Sequence, residues 1–133
     1  MQRLTGQQIL RGNALFHALL GVLLLLAPSH PLYDGLDLPS AQPELFTQLA
    51  GVFVIALAAL LWEAPAHASG ERLVGRAACV ANALSVLVTL LWLVSGELDT
   101  GIRGKALLWA VTVLLAGFAA LEAGYFQPAA EGT

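Results

Sequence analysis

Asn13, His17 and Gly21 stand at i, i+4 and i+8, the spacing that lines up one stripe of an α-helix. Cys79, Asn82, Ser85 and Thr89 share a helix face in the same way. A histidine near a carboxamide could hold a small ligand or pass a proton, with His17 titrating and Asn82 orienting it. Glu63 and Glu122 close two apolar runs, and with Arg11 and Arg76 they would rim such a pocket. The candidate ligand-binding set is therefore Asn13, His17, Asn82, Ser85, Glu63 and Glu122. A plainer role for these residues is structural. Asn, Ser and Thr side chains hydrogen-bond across helix pairs, each bond contributing about 0.6 kcal/mol inside a membrane. Glu63 and Glu122 would then be solvated helix ends beside Arg11 and Arg76. The packing role asks less of the sequence and carries more weight.

Other chemistry has little to work with. The single Cys79 excludes an intrachain disulfide, a Cys-x-x-Cys redox pair and a thiolate zinc cluster, and it reads as a small packing residue. No Gly-rich phosphate loop, H-E-x-x-H or G-x-S-x-G pattern occurs. His17 is the one histidine in an apolar run, while His30 and His67 fall in connections on opposite sides. No catalytic set, metal site or cofactor is expected.

The elements that must position these residues follow from charge. The 133-residue chain has six Lys/Arg, nine Asp/Glu, 58% hydrophobic residues and a mean hydropathy of +0.76. Its 11% charged residues are under half the share usual in soluble domains, about 25%. That argues against a nucleic-acid binder, a disordered tail or an ordinary cytosolic enzyme. Gly12–Tyr33, Leu45–Trp62, Ala77–Gly96 and Ala106–Leu121 contain no Lys, Arg, Asp or Glu. Crossing a bilayer core takes about 20 helical residues. Three of the stretches come close to that, and snorkelling of Arg103 and Lys105 lengthens the fourth. A soluble bundle would need charged outer faces, and these helices are apolar all round. The expectation is an all-α fold: one membrane domain over residues 1–133, a four-transmembrane-helix bundle running up-down-up-down. Its helices are expected over about 11–27, 44–63, 73–95 and 102–122. The first run is expected to be retained rather than cleaved as a signal peptide, because Leu25-Leu26-Ala27 followed by Pro28 does not match a cleavage site.

Arg3, Arg11, Arg72 and Arg76 fall on one side of this arrangement and Arg103 and Lys105 on the other, which favours both termini in the cytoplasm. On that orientation His17 and Asn82 each sit about 9 Å into the bilayer, at matching depth. Capping chemistry is expected from Ser40 with Pro43 for helix 2, Ser69 with Glu71 for helix 3, and Thr100 or Asp99 for helix 4. The proline-rich connection Pro28–Glu44 reads as irregular or interfacial, and Trp62, Trp92 and Tyr125 as interfacial anchors. Asn13-Ala14-Leu15 is echoed by Asn82-Ala83-Leu84, and the Glu63 end of helix 2 by the Glu122 end of helix 4, as a duplicated hairpin would give. Small residues at four-residue spacing, Ala77, Ala81 and Ser85 with Ala116, Ala120 and Gly124, mark close-packing seams.

Arg11-Gly12 entering helix 1, Gly21, the Leu-rich run ending at Pro28, Gly35 and the Leu49-Ala50-Gly51 start of helix 2 resemble the DoxX-like group of small bacterial inner-membrane proteins. The resemblance covers about the first half of the chain. It implies a four-helix protein of the bacterial-type inner (plasma) membrane. A few members are associated with thiosulfate- or quinone-linked redox chemistry, and no family catalytic residue has a match here. The sterol-isomerase superfamily, which places acidic groups within a short bundle, is a more distant likeness, and carboxylates at helix ends argue against it. The leading functional expectation is a non-enzymatic accessory protein or subunit. Its partners are the lipid bilayer and a second copy or another membrane protein, with no nucleic acid. The first alternative is a binder or transporter of a small molecule or ion through a cytoplasm-facing polar pocket. The second is a lipid- or quinone-linked membrane enzyme, which needs another acid/base group near His17, Glu122 being the nearest candidate.

Overall fold

The computed structural model describes residues 5–26, 34–36, 38, 45–96 and 100–126, with the backbone alone at 68 and 69. It is an all-α bundle: α1 (Gly6–Leu25), α2 (Leu45–Glu63), a 3₁₀ turn (Ala64–Ala66), α3 (Ala68–Ser95) and α4 (Ile102–Phe126). All four helices are long and apolar enough to cross a membrane. No strand occurs among the described residues.

The helix ends have local causes. Thr5 accepts from the Gln8 backbone N–H, and the Gln8 side chain accepts from the Thr5 N–H. This capping box satisfies two donors that the first turn would otherwise leave orphaned. It starts α1 at Gly6, five residues before the expected 11. The stretch between Glu63 and Arg76, expected as a loop, is the three-residue turn Ala64-Pro65-Ala66 followed at once by α3. Pro65 tolerates a first helical turn because it has no N–H to satisfy there. α3 therefore begins five residues before the expected 73. Its N-cap is the extended His67, which puts Ser69 inside the first turn, and Glu71 does lie in that turn. The helix closes on Gly96 with φ +74°, a left-handed conformation that favours glycine. At α4 the Lys105 N–H donates to the Gly101 carbonyl, and the Thr100 hydroxyl makes no capping bond. The expected caps at Ser40 and Pro43, and Asp99, lie outside the described residues.

Contacts between helices give the topology. Gly21 meets Gly51 and Ile55, so α1 and α2 run antiparallel. Gly75 meets Phe126 and the Cys79 thiol reaches the Ala119 carbonyl, so α3 and α4 do too. Gly6 touches Glu71 and Tyr125, which brings the start of α1, the start of α3 and the end of α4 together. The order is up-down-up-down, with Gly6 and Phe126 at the same end. The protein is thus two helical hairpins, α1/α2 and α3/α4, joined chiefly at that end. Leu10, Ala14, Leu61, Ala64, Ala78 and Phe126 form the apolar core there.

Two close approaches need glycine. A Cβ on Gly21 would lie 2.9 Å from the Gly51 carbonyl oxygen, and one on Gly51 would lie 2.8 Å from that of Gly21. At this crossing the two backbones touch, and the contact tightens dispersion packing where lipid removes the hydrophobic drive between helices. Elsewhere the bundle shows the surface of a protein solvated by hydrocarbon, with Phe53, Leu73, Val94 and Ile102 all more than 70% exposed.

Candidate functional site

One carboxylate organises the interior. Glu122 is fully buried, and each of its oxygens accepts a different amide. Asn13 Nδ2 on α1 donates to Oε1 at 2.6 Å, and Asn82 Nδ2 on α3 donates to Oε2 at 2.9 Å. Both asparagines are at most 1% exposed. Three helices thus meet on one polar group: the Asn13 bond joins the two hairpins, and the Asn82 bond ties α3 to α4 within the second. A carboxyl group in such surroundings is costly without partners. Two amide donors in good geometry offset part of that cost, which ties the position of Glu122 to both asparagines.

His17 extends the cluster along α1. Its Nδ1 lies 3.0 Å from the Asn13 carbonyl one turn earlier. A carbonyl only accepts, so this bond places a proton on Nδ1. The ring is buried and packs edge-on against Phe16 at 5.5 Å, and Phe16 in turn meets Phe118 of α4 at 5.8 Å. Asn13 therefore links imidazole and carboxyl, using its backbone carbonyl for one and its side-chain amide for the other. Its own Oδ1 is buried with no hydrogen-bond partner among the described residues.

Asn13, His17, Asn82 and Glu122 come together, and Ser85 and Glu63 do not join them. Ser85 is exposed and donates to the Ala81 carbonyl of its own helix at 2.8 Å, the local bond that a mid-helix serine readily makes. Glu63 is exposed at the end of α2. The expected rim is also rearranged. Arg76 Nε donates to the Phe126 carbonyl at 3.0 Å, serving an orphan acceptor at the end of α4. The Arg11 guanidinium lies 5.2 Å from the centre of the Trp62 ring, a cation–π contact.

The expectation that Glu122 is a solvated helix end is overturned. α4 runs one turn further than the expected 122, to Phe126, so Glu122 lies a turn inside the helix, and its side chain is buried. The signal was present in the sequence. In the sequence the first proline after Glu122 is Pro128, and no charge intervenes between the two. His67, Cys79 and the other described His, Cys, Asp and Glu residues form no group of three able to hold a metal.

At the end away from Glu122 the helices line a cavity of about 440 Å³ that is open at the surface. Leu20 and Leu24 of α1, Val88 and Trp92 of α3, and Leu108 and Val111 of α4 form much of its wall. Nothing in composition distinguishes these side chains from leucines that face lipid, so only the packing of the two hairpins reveals the space.

The chain matches no protein-family model, no curated protein and no solved structure. What the fold and the cluster define is a class, a protein with four helices able to span a membrane and a buried carboxylate held by two asparagines.

Proposed function

We propose that this is a small multi-pass protein of a bacterial-type inner membrane, with both termini cytoplasmic, that acts as a non-enzymatic accessory factor or subunit. Its partner is a second copy or another membrane protein. The DoxX-like resemblance belongs to the same proposal, since such proteins share the four-helix plan. One observation carries the reading: both Glu122 oxygens are already taken by Asn13 and Asn82. A carboxylate bonded in this way serves as a latch between hairpins, and polar residues with that role need no substrate.

A second reading is favoured by one detail, the Asn13 bridge between His17 and Glu122. A lipid- or quinone-linked enzyme would need that pairing of imidazole and carboxyl. Complementation of a deletion strain with His17→Ala and Glu122→Gln decides between the two. The accessory reading expects phenotype to follow the amount of folded protein in the membrane, with His17→Ala close to wild type. Loss of phenotype by His17→Ala at normal protein level and normal thermal stability would sink it in favour of the enzyme.

A further inference from the structure

We infer that the cavity opposite the Glu122 cluster is a phospholipid site, with an acyl chain between the hairpins and the phosphate at the start of α4. This stands independently of the accessory reading.

The wall selects hydrocarbon. Leucines and valines dominate it; of the two hydroxyl residues that line it, Thr47 and Thr89, the latter already donates to the Ser85 carbonyl at 2.8 Å. Thr112, one residue beyond the lining Val111, likewise donates to the Leu108 carbonyl at 2.7 Å. The cavity volume lies within the range of about 300–1,000 Å³ typical of ligand pockets. Trp92 in its wall is half exposed, so the space reaches the lipid-facing surface.

The mouth selects phosphate. α4 begins at Ile102 with no acidic residue in its first turn, and it carries Arg103 and Lys105 there. The first-turn N–H groups and the positive end of the helix dipole favour an anion, and two cations reinforce them. Thr100, just before the helix, is buried with a hydroxyl that has no partner among the described residues. Arg103 is four residues before Leu107, which lines the cavity, so the two share a helix face about 6 Å apart along the axis. A headgroup phosphate and the upper part of its chain have this separation of charge from hydrocarbon. The chain before α2 adds to the mouth: Arg103 Nη1 donates to the Gly35 carbonyl at 3.3 Å, and Leu38 lines the cavity. Asp34, beside Gly35, is exposed, and it is the acidic residue described on this rim. Two cations against one carboxylate among the described residues of the mouth, with an apolar interior, fit one occupant, an amphiphile with a phosphate head.

Native mass spectrometry of the full chain in mild detergent tests this, with phosphatidylglycerol, phosphatidylethanolamine, diacylglycerol and inorganic phosphate as probes. Wild type should keep about one phospholipid per chain through detergent exchange, with Val111→Trp and the pair Arg103→Ala/Lys105→Ala each lowering retention about tenfold. Diacylglycerol retained as well as phospholipid would overturn the phosphate half, and inorganic phosphate displacing the lipid would overturn the chain half. No resistant lipid, or equal retention by every variant, would overturn the whole. Photolabelling of wild type with a phospholipid bearing a diazirine on its tail needs no variant to fold. Label should concentrate on Leu20–Leu24, Val88–Trp92 and Leu107–Val111. Label spread evenly over outward residues such as Leu15, Phe53 and Val113 would mean only annular lipid and would overturn the site.

Discussion

At the scale of the residue, Glu122 has the most to lose. Removing Asn13 or Asn82 leaves a buried carboxyl oxygen short of a donor, a loss of about 1–3 kcal/mol. Removing the carboxyl instead strands two amides. Because the three side chains form one unit, their effects should not add. A double-mutant cycle of Asn82→Ala and Glu122→Ala, read by unfolding in detergent, is expected to give a coupling of about 0.5–3 kcal/mol. A coupling of zero would mean that this bond does not tie α3 to α4. Cys79 offers a second readout in the same experiment. It is the chain's one cysteine, it is buried, and its thiol bonds to the Ala119 carbonyl at 3.4 Å beside the cluster. Wild-type Cys79 should resist a polar maleimide, and Asn82→Ala should speed its labelling. The asparagines were legible in the sequence because an amide at membrane depth is conspicuous. Ser85 was equally conspicuous, yet it faces outward, since a serine can satisfy itself on its own helix.

At the scale of the element, the crossing of α1 and α2 separates two kinds of glycine. Gly21 and Gly51 each face the other's carbonyl at under 3 Å, so no side chain fits without moving a backbone. Gly117 and Gly124 on α4 have open space where a Cβ would go. Gly21→Ala is expected to destabilise by about 1–3 kcal/mol through overpacking. Gly124→Ala should be neutral or stabilise by up to about 1 kcal/mol, because alanine has the better helix propensity. Thermal unfolding of the two variants side by side checks the contrast, and equal effects would contradict the close crossing. Gly51 was visible in the sequence as a glycine in an apolar run, but its partner was not. The capping box was also there to be read, as Thr5 and Gln8, and an expectation built on charge-free runs passed over it. Such runs report where hydrocarbon begins, whereas helices continue past that boundary into polar residues.

At the scale of the whole molecule, four antiparallel helices put Gly6 and Phe126 at one end, where Arg11, Arg72 and Arg76 also lie on α1 and α3. Reporters that fluoresce only in the cytoplasm, fused to either terminus, should both be active. Activity of an exported phosphatase at both termini would reverse the orientation, and a split result would contradict the even number of spans. The two hairpins are held by core and latch at the Gly6–Phe126 end and line an open cavity at the other. The paired Asn-Ala-Leu echoes end up on opposite sides of Glu122, one amide for each oxygen. Their companion echo, Glu63, stays at the surface, so the interior is not symmetric even where the sequence repeats.

The sequence by itself determined the class of protein. Charge-free runs of spanning length cannot be solvated by water, and a helix is the structure that satisfies its backbone within hydrocarbon. It also determined which polar residues stand out, since each is expensive at that depth. Only the tertiary structure decided which of them meet, because a helix face is a direction and its partner depends on how neighbouring helices cross. The same holds for the depth of Glu122, set by one further turn of α4, and for the cavity. Leucines that line a cavity and leucines that face lipid are chemically identical, and packing alone tells them apart.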